Sequence, residues 1–199
     1  MKYILIIASL FVLSGCIVEK KPSITEYKII IKHDKTTSNA SGCSDKTLKI
    51  SQAFSPSNLQ SLKMNYIKSD TKVFAYSKAQ WMESPKYSIS QAVFLKIRDT
   101  GIFKNVNIAQ SRSRSQLILE IIIEDFIQYY NENLDTSYAN VSISLNLLDA
   151  ITLKTISSKS FNSKVDTKNL NAEAGVDALN IALSNILEKN VEWLDGVCK

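Results

Sequence analysis

The sequence has few of the residues that build catalytic and metal-binding sites. It contains one histidine, His33, three cysteines and five glycines among 199 residues. A metal site needs several histidine, cysteine or carboxylate ligands close together, and one histidine cannot supply an imidazole cluster. The sequence has no GxSxG motif to present a nucleophilic serine and no glycine-rich loop for a phosphate or a dinucleotide. We therefore predict a protein that is not an enzyme and that has no metal or cofactor.

The charged residues indicate a solvated surface rather than a special site. The formal net charge is +5, and no block of five or six like charges occurs. Such a diffuse excess weakly favours anionic lipid surfaces and gives no reason to expect nucleic acid binding. Glu120, Glu124 and Asp125 lie close together and could perform acid–base chemistry. Because they fall on a predicted strand, we interpret them as solvated surface carboxylates.

The N-terminus is typical of an exported protein. One basic residue, Lys2, precedes a short apolar stretch that ends in Leu13-Ser14-Gly15-Cys16. The stretch is too short for a transmembrane helix, which needs about 20 apolar residues, and it fits a secretory signal peptide. The small residues before a cysteine resemble the bacterial lipobox, in which the cysteine is acylated and becomes the new N-terminus. We predict a signal peptide over residues 1–15 and a lipid anchor on Cys16; the alternative is a buried cysteine behind an ordinary signal.

The remaining two cysteines form an even pair. If Cys16 carries lipid, Cys43 and Cys198 are left in a chain that reaches an oxidising compartment, where such pairs usually close. The alternative is two unpaired thiols. A redox or metal site is less favoured because the sequence has no CxxC spacing. The predicted disulfide ties the start of the domain to its last residues.

The rest of the chain is predicted to form one domain. Residues 16–26 are polar and charged and are interpreted as a tether, followed by a single domain over residues 27–199. Apolar residues four apart predict a helix from Trp81 to Thr100, with Pro85 near its start and Gly101 at its end. A second helix is predicted from about Leu170 to Leu194, capped by Asn169 or Asn171. The fold class is α+β, with an antiparallel sheet and both helices on one face.

Eight strands are predicted around these helices, because apolar and polar residues alternate with a period of two. Successive strands near the C-terminus need only hairpins between them. The strands are expected at 27–31, 48–54, 64–67, 72–76, 106–108, 117–126, 141–147 and 153–165.

Several short segments, in this order, resemble the auxiliary lipoproteins of ABC-type transport systems. This family includes the intermembrane-transport lipoprotein that partners paraquat-inducible membrane proteins, and the resemblance covers nearly all of the chain after Cys16. Two features depart from it: the arginine that often follows the hairpin tyrosine is replaced by Ile67 and Lys68, and the Cys43–Cys198 pair is not part of the general pattern. The matching segments are Tyr27-Lys28-Ile29-Ile30, Ser55-Pro56-Ser57-Asn58-Leu59, Met64-Asn65-Tyr66, Val73-Phe74-Ala75-Tyr76, Trp81 with Pro85, Phe103-Lys104-Asn105-Val106, Leu119 to Phe126, and Ala172 to Leu194.

The resemblance implies a non-catalytic accessory lipoprotein that docks a membrane protein with mammalian-cell-entry (MCE) domains during phospholipid transport. It also implies an outer-membrane anchor on the periplasmic face. Ile17 favours the outer membrane over the inner one, where an aspartate after the cysteine is the usual retention signal. Two alternatives stay open: a barrel-plug lipoprotein of the lipopolysaccharide-assembly type, and a structural envelope lipoprotein.

Three aromatic residues are the candidates for partner binding. Tyr66 and Tyr76 lie on the predicted hairpin among several lysines, where they could contact a partner or simply cover the sheet. Trp81 could line a groove for a lipid or a peptide, or it could anchor the core, which is the commoner role.

Overall fold

The structure, a computed structural model, describes residues 23–31, 42–69 and 71–199. The predicted signal peptide, Cys16 and His33 lie outside the described residues. The helices are α1 (Pro85–Thr100) and α2 (Ala172–Val197), and a short 3-10 helix covers Ser57–Gln60. The strands are β1 (Thr25–Tyr27), β2 (Thr47–Ile50), β3 (Lys63–Lys68), β4 (Lys72–Trp81), β5 (Asn105–Asn107), β6 (Leu117–Tyr130), β7 (Ser137–Asp149) and β8 (Thr155–Asp166).

One eight-stranded sheet is organised around β6, which is 14 residues long. β7 pairs with one edge of β6 along its whole length, and β8 pairs with β7. The other edge of β6 is shared by two strands: β2 pairs with its first residues and β3 with its last. β5 extends the sheet beyond β2, and β4 followed by β1 extends it beyond β3.

The α+β class and the two helices are confirmed, but the sheet is mixed rather than antiparallel. β2 and β3 both run parallel to β6, β5 runs parallel to β2, and β1 runs parallel to β4. Parallel neighbours need a crossover connection, usually a helix. Here α1 lies between the β3–β4 hairpin and β6 along the chain. It carries the chain back to the other end of the sheet, so β6 runs in the same direction as β2 and β3. The expectation of hairpins holds only for β3–β4 and for β6, β7 and β8.

The core lies on one face of the sheet. The predicted apolar face of β6, Leu117 to Ile123 at alternate positions, is buried. A β-bulge between Ile123 and Asp125 adds one residue, so from Phe126 onward the even-numbered side chains turn to the core. Both helices pack on this face, and the opposite face of β6 and β7 is mainly polar.

The two helices begin and end close to the predicted positions, with one correction. α1 starts at Pro85, because Trp81 is the last residue of β4 rather than the first of the helix. Gly101 ends α1 with φ of 71°, a conformation that glycine adopts without strain. Asn171 is the cap of α2 and accepts a hydrogen bond from the Ala174 backbone N–H at 2.9 Å. No helix in the described part of the chain is long and apolar enough to cross a bilayer.

A charged contact joins the helices. Lys96 on α1 is only 3% exposed, and its Nζ lies 2.6 Å from Oε1 of the half-exposed Glu188 on α2. A buried ammonium group without a partner would be costly, so this pair fixes the position of one helix against the other.

A disulfide joins Cys43 and Cys198, as the cysteine count predicts. Their Cα atoms are 5.2 Å apart, and 155 residues separate them along the sequence. The Gly42 backbone N–H also donates to the Cys198 carbonyl at 2.8 Å. A Cβ at Gly42 would overlap that carbonyl, so glycine is required for this close approach. The bridge therefore fastens the end of α2 to the start of the segment that leads into β2.

Replacing both bridge cysteines, Cys43→Ser with Cys198→Ser, should lower the free energy of unfolding by about 4 to 5 kcal/mol, because opening so long a loop frees the unfolded chain. Urea unfolding measures the change. Reductant should lower the midpoint of the parent protein and leave the double variant unaffected. Mass spectrometry of non-reduced peptides should show the two cysteines joined, and alkylatable thiols on the exported protein would contradict the pairing.

Candidate functional site

Tyrosines from three strands meet a buried amide at the end of the sheet where β6 finishes. The Tyr76 hydroxyl donates to Oε1 of Gln128 at 2.8 Å and lies 2.7 Å from the Tyr130 hydroxyl. The Gln128 amide nitrogen donates to the Tyr130 hydroxyl at 3.0 Å and to Ser137 Oγ at 2.8 Å. Tyr66 covers this group, with its ring centroid 4.7 Å from that of Tyr76. We call these residues the tyrosine network.

The network is neutral and closely packed. Burial raises the pKa of both Tyr76 and Tyr130, so neither phenol ionises near neutral pH. Gly175 in the first turns of α2 lies directly against Gln128, and a Cβ at Gly175 would overlap the amide group. These hydrogen bonds satisfy polar groups that would otherwise be buried at a cost, so the network fixes how α2 sits on the sheet.

The structure separates the three candidate partner-binding residues. Trp81 is 4% exposed and packs on Phe126 with ring centroids 5.7 Å apart, so it is a core residue. Tyr76 is half-buried, and its hydroxyl is committed to the network. Tyr66 is also half-buried, but its ring stacks on Phe74, which is exposed. The exposed apolar side chains at this hairpin are therefore Phe74 and, on the opposite face of β4, Val73, rather than the two tyrosines.

Lysines accompany this exposed apolar surface. Lys68 and Lys72 pair directly across the end of the β3–β4 hairpin, and Val73 and Phe74 follow at once in β4. We define Lys72 and Phe74, which lie on the same face of β4, as the hairpin surface. Exposed apolar side chains that do not serve the core are typical of a docking site.

The carboxylates of β6 are held in hydrogen bonds on the polar face of the sheet. Glu124 accepts from Ser142 and Ser144, which lowers the pKa of its carboxyl. Asp125 accepts from Asn140 and Tyr129, while burial raises its pKa. No group of three or more histidine, cysteine or acidic residues that could hold a metal occurs in residues 23–31, 42–69 and 71–199.

A cleft of about 330 Å³ lies between the start of α1 and the ends of β2 and β5. Its walls combine apolar groups with amides and hydroxyls, and Lys86 is the only charged residue that lines it. Tyr87, Phe94 and Ile108 form much of the apolar part.

Sequence reasoning missed the centre of the tyrosine network. Gln128 and Gly175 are 47 positions apart, and neither belongs to a recognisable motif. The available signal was the glutamine itself. It occupies a position that faces the core only because the bulge shifts the alternation of inward and outward side chains. Because the bulge itself has no signature in the sequence, that shift could not be foreseen.

The substitution Gly175→Ala should lower the free energy of unfolding by about 2 to 3 kcal/mol, because the added methyl group displaces Gln128 and breaks its hydrogen bonds. Gly196→Ala is the matched control in the same helix, since nothing lies within 4 Å of the position of its Cβ. That control should raise the free energy of unfolding by about 0.5 to 1 kcal/mol. Urea unfolding compares the two, and equal effects would contradict the packing of Gly175 on Gln128.

No protein-family model and no curated protein matches the sequence. Several solved structures resemble the fold. A crystal structure from Xanthomonas campestris, described as a member of the DUF330 family, has a TM-score of 0.75 at 17% identity and covers 87% of this chain and 96% of that one. The crystal structure of an uncharacterized protein has a TM-score of 0.64 at 10% identity and covers 86% of this chain and 98% of that one. The structure of a hypothetical protein from Chlamydia trachomatis has a TM-score of 0.50 at 5% identity and covers 77% of this chain and 98% of that one. At these identities the similarity establishes a shared fold.

Proposed function

We propose that this chain is a lipoprotein without catalytic activity, acylated at Cys16, which serves as an accessory subunit of an MCE-type ABC transport system for phospholipid. The observation that carries the proposal is the lipobox-like segment ending at Cys16, only seven residues before the described domain begins at Ser23. In this proposal ATP hydrolysis belongs to a separate cytoplasmic subunit, and the domain acts by docking.

The short tether keeps the domain close to the membrane. Seven residues span at most about 24 Å when fully extended. One acyl chain gives only marginal anchoring, whereas several chains on one cysteine make it lasting. Ile17 after the cysteine supports the periplasmic face of the outer membrane as the place of anchoring.

The hairpin surface is the proposed contact with the MCE-domain partner. It presents Phe74 to solvent, with the ring of Phe74 held in place by Tyr66. A rigid aromatic side chain that is already positioned binds with little loss of conformational freedom. The tyrosine network thus supports the hairpin surface from below and connects it to α2.

Replacing the proposed anchor, Cys16→Ala, should move the protein from the membrane fraction to the soluble fraction, because the acyl chains supply most of the membrane affinity. Cell fractionation followed by a wash in about 1 M salt measures the change, since salt screens surface charges but leaves an acyl anchor in place. A Cys16→Ala protein whose signal peptide has been removed and that still survives the salt wash in the membrane fraction would overturn the lipoprotein assignment. The parent protein, fractionated and washed in the same way, is the control and should stay in the membrane fraction.

A photoreactive residue at Phe74 should crosslink to an MCE-domain protein in cells, because this side chain is exposed at the centre of the hairpin surface. The same residue at Ile181, which is exposed on α2, is the control and should give no such product. The crosslinked product is identified by mass spectrometry. Capture of an outer-membrane barrel alone, or a deletion strain with unchanged outer-membrane lipid balance, would contradict the transport role.

A further inference from the structure

The end of the domain opposite the tyrosine network is built from four segments that hydrogen bonds hold together. The Lys104 N–H donates to the Lys46 carbonyl at 2.9 Å, and the Gln116 N–H donates to the Thr47 carbonyl at 3.1 Å. The Ala150 N–H in the β7–β8 turn donates to the Gln116 carbonyl at 2.9 Å. The disulfide adds the end of α2. Residues 42–49, 104–116, 149–154 and 195–199 therefore form one continuous surface, which we call the basic end.

Charge is distributed unequally between the two ends of the domain. The basic end carries seven basic side chains and three acidic ones: Lys46, Lys49, Lys104, Arg112, Arg114, Lys154 and Lys199 against Asp45, Asp149 and Asp195. Two of these acids are engaged locally, since Asp149 accepts hydrogen bonds inside its turn and Asp195 pairs with Lys199. Around the tyrosine network the described charges are balanced: Lys68, Lys72, Lys164 and Lys168 against Glu132, Asp135, Asp166 and Glu173.

Two aliphatic side chains project from the basic end. Ile151 is 86% exposed and Leu153 is 65% exposed, both in the β7–β8 turn. The turn is well defined, because Asp149 Oδ1 accepts from the backbone N–H groups of Ile151 and Thr152 at 3.0 and 2.7 Å. Leu153 also has φ of 56°, an unusual conformation for a leucine. Nothing in the described fold uses these side chains.

We propose that the basic end is a contact surface for an anionic phospholipid bilayer, with Ile151 and Leu153 inserting among the headgroups. Aliphatic side chains at the tip of a hairpin enter the interface between headgroups and acyl chains, and the surrounding lysines and arginines are attracted by anionic lipid. This inference extends the proposed function, because it gives the tethered domain a second, weaker attachment to the membrane.

The tether allows both attachments at once. By the strand registers, Ser23 lies about twelve residues along the strand direction, or roughly 40 Å, from the β7–β8 turn, and the seven residues from Cys16 to Ser23 reach about 24 Å. A domain that leans on the membrane can therefore place Cys16 and the turn in the same bilayer. Because a tethered surface meets the bilayer at high effective concentration, a weak contact is sufficient to orient the domain. The hairpin surface lies at the other end of the sheet, on β4 beside β1.

Vesicle flotation of the chain without its predicted signal peptide, residues 1–15, and with Cys16→Ala tests the contact without the acyl anchor. The protein should float with vesicles of phosphatidylcholine containing about 30 mol% phosphatidylglycerol at low salt, and not with phosphatidylcholine alone. Binding should disappear at about 1 M salt, where the Debye length is about 3 Å and the attraction between the basic side chains and the anionic lipid is screened. Failure to bind the anionic vesicles at low salt, or equal binding to both compositions, would overturn this inference while leaving the acylation result untouched.

Two independent pairs of substitutions locate the surface. Arg112→Gln with Arg114→Gln should weaken partitioning about thirty-fold, and Ile151→Ser with Leu153→Asn should weaken it about ten-fold or more at unchanged net charge. The matched control at the other end is Lys68→Gln with Lys168→Gln, which removes the same charge and should change partitioning no more than about three-fold. Urea midpoints confirm that each variant is folded. A control pair that weakens binding as much as the arginine pair would contradict the assignment to the basic end.

Discussion

Strand β6 is the element on which the rest of the fold depends. It is long enough for β2 and β3 to pair side by side along one edge while β7 occupies the other, so one strand connects every part of the sheet. Its inward side chains, from Leu117 to Ile123, form the floor on which both helices pack. Burial of this apolar face drives folding, and the bulge before Asp125 decides which later residues join it.

Beyond the bulge the inward face becomes polar, and its chemistry changes from packing to hydrogen bonding. Gln128 is buried and uses its amide to join Tyr76, Tyr130 and Ser137. Such a group is favourable only when every member is satisfied, which demands an accurate fit of α2 and explains the glycine at position 175. The hairpin surface gains its rigidity from this arrangement, since Tyr66 stacks both on the network and on Phe74.

The two ends of the sheet have different chemistry. One end offers a rigid aromatic surface backed by neutral hydrogen bonds. The other offers exposed aliphatic residues among arginines and lysines, held by the disulfide and the β7–β8 turn. A short acylated tether, as we propose, would keep such a domain at a bilayer with one end on lipid and the other available to a protein.

The sequence by itself determined the alternating strands, the two helices with the Gly101 stop, and the partners in the disulfide, because these depend on local periodicity, caps and a count of cysteines. It left Asn169 and Asn171 as alternative caps of α2, of which the structure has Asn171. It did not determine the parallel pairing of β2 and β3 with β6, since strand direction depends on where α1 crosses the sheet. It placed Trp81 in α1 and treated it with Tyr66 and Tyr76 as one binding group. Only the tertiary structure decided their separate roles, because burial, the bulge and the contact between Gln128 and Gly175 are set by residues distant in sequence.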